Sequence, residues 1–114
     1  MEQTAEKKSF LFAVRIVKLC KHLMENKKEF ILSKQLLRSG TSIGANIAES
    51  QQAQSRADFI SKLCIALKEA SETNYWLRLL HATDYLSDAE YTSIIDDCQE
   101  LEKMLTSIIK SSKG

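Results

Sequence analysis

The chain has 114 residues, of which 44% are hydrophobic and 27% are charged. This length fits one domain, and this composition is that of an ordinary globular protein. The formal net charge of +1 argues against a strong, general binder of polyanions. The absence of proline and the presence of only three glycines favour long helices over a strand-rich fold. We therefore expect residues 1–114 to form a single all-α domain.

The first periodic segment predicts a helix over residues 6–26. Its apolar side chains recur at the three- and four-residue spacing of one helix face. They are Phe10, Val14, Val17, Cys20 or Lys21, and Met24, supported by Ala13, Ile16 and Leu23. We expect this face to point into the core. A second stripe, on another side of the helix, consists of Lys8, Arg15, Lys18 and His22.

A second helix is expected from residue 28 or 29 to about residue 51. Its apolar side consists of Leu32, Leu36, Ile43 and Ile47. Small residues recur every four positions at Gly40, Gly44 and Ala48. Glycine inside a helix costs about 1 kcal/mol relative to alanine. Two glycines on one side therefore indicate that another backbone approaches closely there, and we expect these three positions to form a close helix crossing.

The third helix is expected over residues 55–82, with Ser55 as its N-cap and Asp58 at the third helical position. Its main apolar stripe is Ile60, Leu63, Leu67 and Leu77. Five further side chains widen this stripe: Phe59, Tyr75, Trp76, Leu79 and Leu80. A single bundle buries a stripe roughly 100° wide. A monomer would leave part of this wider surface in water, so these five residues are a candidate interface.

The fourth helix opens with a capping box, in which Ser87 is followed three positions later by Glu90. Apolar side chains then alternate by three and four, as in a heptad seam. They are Tyr91, Ile94, Cys98, Leu101, Leu105 and Ile108. Residues 111–114 are expected to fray. Because every connection is short, we predict an antiparallel, up-down-up-down four-helix bundle.

Charge is distributed unevenly along the chain. Residues 1–38 contain nine basic and four acidic residues, a difference of +5, whereas residues 87–114 contain three basic and six acidic residues, a difference of −3. The candidate phosphate-binding residues are Lys7, Lys8, Arg15, Lys18, Lys21, Lys34 and Arg38. Two alternatives remain open, namely a solvated basic face and pairing with the acidic fourth helix of the same or a neighbouring subunit. Because no aromatic residue interleaves this stripe on its own face, base stacking is not indicated.

Signatures of catalysis or metal binding are missing from the sequence. The Glu-x-x-His motif of di-metal bundles does not occur. Cys20, Cys64 and Cys98 each lie within an apolar helical pattern, which is typical of buried, reduced thiols in a cytoplasmic protein. A signal-peptide pattern and a membrane-spanning run are also missing. We expect no catalytic residue, no metal, no cofactor, no small-molecule substrate, no membrane association and a cytoplasmic location.

Three segments of the sequence carry a family resemblance: LSKQLLRSGTSIGANIAES at 32–50, DFISKL at 58–63 and ALKEASETNYWL at 66–77. They resemble the bacterial four-helix-bundle proteins encoded in intervening sequences of 23S ribosomal RNA genes, and the resemblance covers essentially the whole chain. It implies a helical bundle to which no catalytic residues are assigned. A related branch is the accessory variability determinant of diversity-generating retroelements. That branch implies a homopentamer whose basic surface holds nucleic acid and a reverse transcriptase.

Together, these features predict a non-enzymatic homo-oligomer that acts as an RNA- or nucleoprotein-associated accessory protein. If it is like the accessory variability determinant, the oligomer is a pentamer. Its expected partners are copies of itself and either structured RNA or a nucleic-acid-processing protein. The alternative is a purely structural assembly or adaptor module whose partner is another protein and which does not bind nucleic acid.

Overall fold

Four helices account for nearly all of residues 4–114, the part of the chain that the computed structural model describes. They are α1 (Ala5–Asn26), α2 (Leu32–Ser50), α3 (Arg56–Ala82) and α4 (Asp88–Lys113). The described residues contain no strand. Each helix packs on its two neighbours in the order α1, α2, α3, α4 and back to α1. The molecule is thus the predicted all-α four-helix bundle, with extents of 44 × 24 × 22 Å.

Three helix starts follow side-chain caps. The hydroxyls of Thr4 and Ser55 accept hydrogen bonds from backbone N–H groups three residues later, at 3.1 Å each. The predicted capping box at α4 is complete, because Ser87 and Glu90 each accept from the other's backbone N–H. These caps satisfy N–H groups that have no partner within the helix.

The start of α2 differs from the sequence prediction. We expected this helix to begin at residue 28 or 29, but it begins at Leu32. Lys28 adopts a left-handed backbone with φ 57°, and the N–H of Glu29 donates to the carbonyl of Leu23 at 3.0 Å. This geometry ends α1 and turns the chain, which places the Glu29 carboxylate beneath the first turn of α2. At the other end of the chain, α4 stays helical to Lys113 instead of fraying from residue 111.

The core is formed by one face of each helix. The buried side chains of α4 include Ile94, Cys98, Leu101 and Leu105, as the heptad pattern predicts. In α1, however, the buried face is Phe12, Ile16, Cys20 and Leu23. The expected core face of α1 was therefore wrong in part: Ile16, Cys20 and Leu23 are buried as expected, but Phe10 and Val17 are 68% and 40% exposed. Both series have helical spacing, and contact with neighbouring helices decides which one is buried.

The glycines of α2 lie where α1 crosses it. A Cβ atom built on Gly40 would come within 2.8 Å of Cγ2 of Ile16, and one on Gly44 within 3.3 Å of the carbonyl oxygen of Ser9. Ser9 and Ile16 are themselves completely buried. The third small residue of the predicted series, Ala48, is exposed. The close crossing therefore involves Gly40 and Gly44 and does not extend to Ala48.

Candidate interaction surface

Two of the candidate phosphate-binding residues face α4 of the same chain. Lys8 Nζ lies 3.6 Å from Oδ1 of Asp97 and 3.5 Å from Oε2 of Glu100. The Arg15 guanidinium donates to Oδ2 of Asp97 at 2.6 Å and to the hydroxyl of Ser93 at 3.0 Å. Helix α1 is thus joined to α4 by ion pairs. Of the alternatives left open by the sequence, pairing with the acidic helix of the same subunit applies to Lys8 and Arg15.

A third candidate, Arg38, is neutralised by α3. Its guanidinium forms ion pairs with the carboxylates of Glu69 and Glu72. The indole N–H of Trp76 also donates to Glu72, at 2.9 Å. The hydrogen bonds from Trp76 and Arg38 lower the pKa of Glu72, so this carboxylate remains charged beside Arg38. This network ties α2 to α3 and leaves Arg38 poorly placed to bind a phosphate.

The other four basic candidates are unpaired within residues 4–114. Lys7, Lys18, Lys21 and Lys34 are exposed and form no ion pair with any described residue. At 100° per residue, Lys7, Lys18 and Lys21 share the outward side of α1. The seven predicted residues therefore do not form one basic surface, since only these four remain available to a partner.

The outward side of α1 is also apolar, which the sequence analysis missed. Phe10, Leu11 and Val17 are at least 40% exposed there, and the half-buried Val14 lies between them. We call Phe10, Leu11, Val14 and Val17 the outer face of α1. The sequence contains a signal for this exposed surface, because these apolar residues are mixed with Lys7, Lys18 and Lys21. A stripe that faces the core rarely carries lysine. Phe10 also provides the aromatic side chain that the basic stripe was expected to lack.

The candidate interface on α3 separates into buried and exposed residues. Leu80 is completely buried and belongs to the core of the subunit, so its assignment to an exposed interface was wrong. Phe59 and Trp76 are half-buried and pack against the core. Tyr75 is 50% exposed, with the guanidinium of Arg78 5.6 Å from the centre of its ring. The apolar surface that α3 presents to solvent thus consists of Tyr75, the half-buried Leu79 and the exposed Ile65.

Cys20 and Cys98 are buried and have the environment of structural thiols, whereas Cys64, which was also expected to be buried, is only partly buried. Burial, with a smaller effect of Glu29, raises the pKa of Cys20 to about 12, and burial with a smaller effect of Glu102 does the same for Cys98. A thiol with such a pKa is protonated at neutral pH and is a poor nucleophile. Among residues 4–114, no group of three His, Cys, Asp or Glu side chains is arranged to hold a metal ion. None of the described helices is long and apolar enough to cross a membrane.

Comparison with known proteins identifies the family of this chain. The model of the 23S rRNA-intervening sequence protein family matches residues 1–107. A crystal structure from Bacteroides thetaiotaomicron VPI-5482, a protein of unknown function from the S23 ribosomal protein family, has a TM-score of 0.93 and 62% sequence identity. That match covers 94% of this chain and 99% of the other. The curated proteins contain no match. A family model that spans most of the sequence and a close structural relative agree, and the chain belongs to the 23S rRNA-intervening sequence protein family.

Proposed function

We propose that this protein is a non-enzymatic accessory protein of the cytoplasm that assembles with copies of itself and presents the outer face of α1 to a partner macromolecule. The observation that carries this proposal is the exposed apolar surface at three places on the bundle. Large exposed apolar patches are uncommon on monomers and mark interaction sites. The first is the outer face of α1, and the second comprises Ile65, Tyr75 and the half-buried Leu79 on α3. The third is the turn between α1 and α2, where Phe30 and Ile31 are 49% and 77% exposed.

Self-assembly is best supported at α3. The exposed charged residues of α3 are all basic, and they are Arg56, Lys68 and Arg78. The neighbouring α4 exposes Asp96 and Glu100 in its first half, of which Glu100 also pairs with Lys8 of the same chain, and Lys103 and Lys110 in its second half. Placing α3 of one copy against the first half of α4 of the next would pair opposite charges around the exposed tyrosine. Such a contact joins two different surfaces, so it repeats around a ring when its rotation closes. A ring of five subunits is the number implied by the family resemblance.

Light scattering at micromolar protein concentration tests the assembly. We expect a mass that is a multiple of 12.9 kDa, and five times that value for the pentamer. Tyr75→Glu should reduce the mass, because it places a charge in the apolar centre of the contact. The control is Gln52→Glu, which adds the same charge at an exposed position between α2 and α3. A wild-type mass near 12.9 kDa would contradict self-assembly, whereas a dimer or tetramer would contradict only the pentamer.

Binding of structured RNA is a second candidate function. It is favoured by the unpaired Lys7, Lys18 and Lys21 on one side of α1, and by Phe10 between them as a stacking surface for a base. Lys7 and Lys21 are 14 positions apart, which is about 21 Å along a helix. The same surface would suit a nucleic-acid-processing protein, the kind of partner implied by the resemblance to the accessory variability determinant.

Fluorescence anisotropy with a labelled RNA hairpin tests this second function. Affinity should fall steeply with salt, because binding releases counterions from the phosphates. Lys18→Gln with Lys21→Gln should lower the salt slope by about 2, since each lysine contributes roughly one phosphate contact. Lys103→Gln with Lys110→Gln on α4 is the matched control and should leave the slope unchanged. Binding that does not respond to salt, or that both double variants weaken equally, would argue against an RNA surface on α1.

A further inference from the structure

The outer face of α1 continues into a groove against α2. Two shallow hollows meet at Phe10 and Ala13. The first hollow lies between α1 and α2, and its α2 side is formed by Gly44, Ala45 and Ala48 with Thr41. The second lies along α1 and is lined by Val14, Val17, Lys18 and Lys21 in addition to the shared pair. We call these two hollows together the α1–α2 groove.

The shape of this groove suits a helix. Its α2 side carries only small side chains, so an approaching helix can come close to the α2 backbone. Phe10, Val14 and Val17 follow the spacing i, i+4 and i+7 and offer apolar contacts along the groove. An amphipathic helix recognises such a surface by placing its own apolar residues at the same intervals.

The charge of the groove specifies the occupant further. Lys7, Lys18 and Lys21 line it and form no ion pair with any described residue. Glu6, at one end, is the only carboxylate among the residues that line the two hollows. Buried apolar contact surrounded by unpaired lysines is complementary to a helix that is apolar on one face and acidic on its flanks.

A second copy of this chain does not offer such a helix among its described residues. The exposed residues of α4 are polar except for Ala89, and the exposed charged residues of α3 are all basic. Helix α2 exposes Lys34 and Arg38 but only one carboxylate, that of Glu49. Packing α1 against another α1 would bring lysines together. RNA would satisfy the lysines but would leave Leu11, Val14 and Val17 in contact with charged backbone. The chemistry of the groove therefore favours another protein over both alternatives.

We infer that the α1–α2 groove binds an acidic amphipathic helix of a partner protein. This inference rests on the proposed role as an accessory protein and names the class of partner for that role. The apolar face of the bound helix covers Phe10, Val14 and Val17. Its flanking carboxylates pair with Lys18 and Lys21 on one side and with Lys7 towards the end of the groove. The contact is of the helix-in-groove kind, in which apolar anchors provide affinity and the lysines provide specificity.

Fluorescence anisotropy with a synthetic helix and the assembled full-length protein tests the inference. The probe is a labelled peptide of about 20 residues, roughly 30 Å as a helix, with leucine at i, i+4 and i+7 and glutamate on both flanks. We expect saturable binding in the micromolar range. A peptide with glutamine in place of glutamate should bind about tenfold or more weakly, a loss equivalent to about 1.4 kcal/mol. A scrambled peptide of identical composition should not bind.

Two variants locate the peptide on the protein. Ala45→Trp fills the α2 side of the groove and should weaken peptide binding about tenfold or more. Lys18→Glu with Lys21→Glu changes only exposed side chains and should abolish binding, so it carries the test if the tryptophan variant does not fold. The matched control is Lys103→Glu with Lys110→Glu on α4, which should leave the peptide affinity unchanged. Circular dichroism verifies that each variant is folded.

Several results would overturn the inference. One is equal affinity for the glutamate and glutamine peptides. Another is an equal loss of peptide affinity in both charge-reversed double variants. A third is a decrease in the assembled mass on Phe10→Glu, which would make the groove an interface between copies. Salt-sensitive binding of an RNA hairpin without peptide binding would also overturn it and would support the RNA function. If the wild-type mass is that of an oligomer and the peptide does not bind, this inference fails while the proposed assembly stands.

Discussion

Gly40→Leu is expected to lower the free energy of unfolding by about 3 kcal/mol or more, because a leucine cannot be placed where α1 and α2 cross. Even a Cβ atom at this position would lie 2.8 Å from Cγ2 and 2.9 Å from Cγ1 of Ile16, which is fully buried. These atoms are attached directly to a β-branched carbon, so they cannot move away without a shift of α1. Gly44→Leu should have a similar effect, since its nearest neighbours include the backbone of Ser9.

Thermal unfolding followed by circular dichroism measures this effect. A loss of 3 kcal/mol corresponds to a decrease in Tm of roughly 10 °C or more in a domain of this size. Ala45→Leu is the control, because it adds the same side chain to an exposed position of the same helix and should change the stability by less than about 0.5 kcal/mol. Equal melting temperatures for Gly40→Leu, Gly44→Leu and the wild type would show that the two backbones are not in close contact.

Glu29→Ala is expected to lower the free energy of unfolding by about 2 kcal/mol, since hydrogen bonds to a charged group are stronger than neutral ones. The carboxylate accepts hydrogen bonds from the N–H groups of Ile31, Leu32 and Ser33 and from the hydroxyl of Ser33. Ile31, at the N-cap position, provides no side-chain hydrogen bond. Without Glu29, the first N–H groups of α2 lose their hydrogen-bond partner. This site is buried, since Glu29 is only 8% exposed in the wild-type protein.

The stability provided by Glu29 should depend on pH. Burial acts to raise the pKa of this carboxyl, but the hydrogen bonds from Leu32, Ser33 and Ile31 outweigh burial and hold the pKa below its usual 4.5. A pKa that is lower in the folded than in the unfolded state stabilises the fold at pH values above 4.5. That stabilisation is lost as the pH falls through the folded-state pKa.

Urea unfolding between about pH 7 and pH 3 measures both effects. Glu29→Gln should lose stability at neutral pH and respond less to acid than the wild type. Glu25→Gln, at an exposed position near the end of α1, is the control and should behave as the wild type does. A wild-type protein and a Glu29→Gln variant with parallel pH profiles would show that this carboxylate does not cap α2.

Much of the fold was predictable because it depends on local patterns. The seam of α4 alternates by three and four over several turns, and Ser87 with Glu90 marks its start. The caps at Ser55 and Ser87 are local hydrogen bonds, so short sequence motifs are enough to locate them. The start of α2 could not be predicted in the same way. It depends on a left-handed Lys28 and on a carboxylate that precedes the usual capping position.

The sequence by itself determined that this chain forms four amphipathic helices joined by short turns, because helical periodicity, caps and the lack of proline are local properties. Only the tertiary structure decided which side of α1 is buried, that Leu80 belongs to the core, and that Lys8, Arg15 and Arg38 are paired with carboxylates of other helices. Two apolar series of equal spacing on α1 compete for the core, and contact with α2 and α4 selects the one containing Phe12 and Ile16. The availability of a charge likewise depends on distances between residues far apart in the chain. The lysine and apolar surface on α1 therefore became visible only when the helices were packed together.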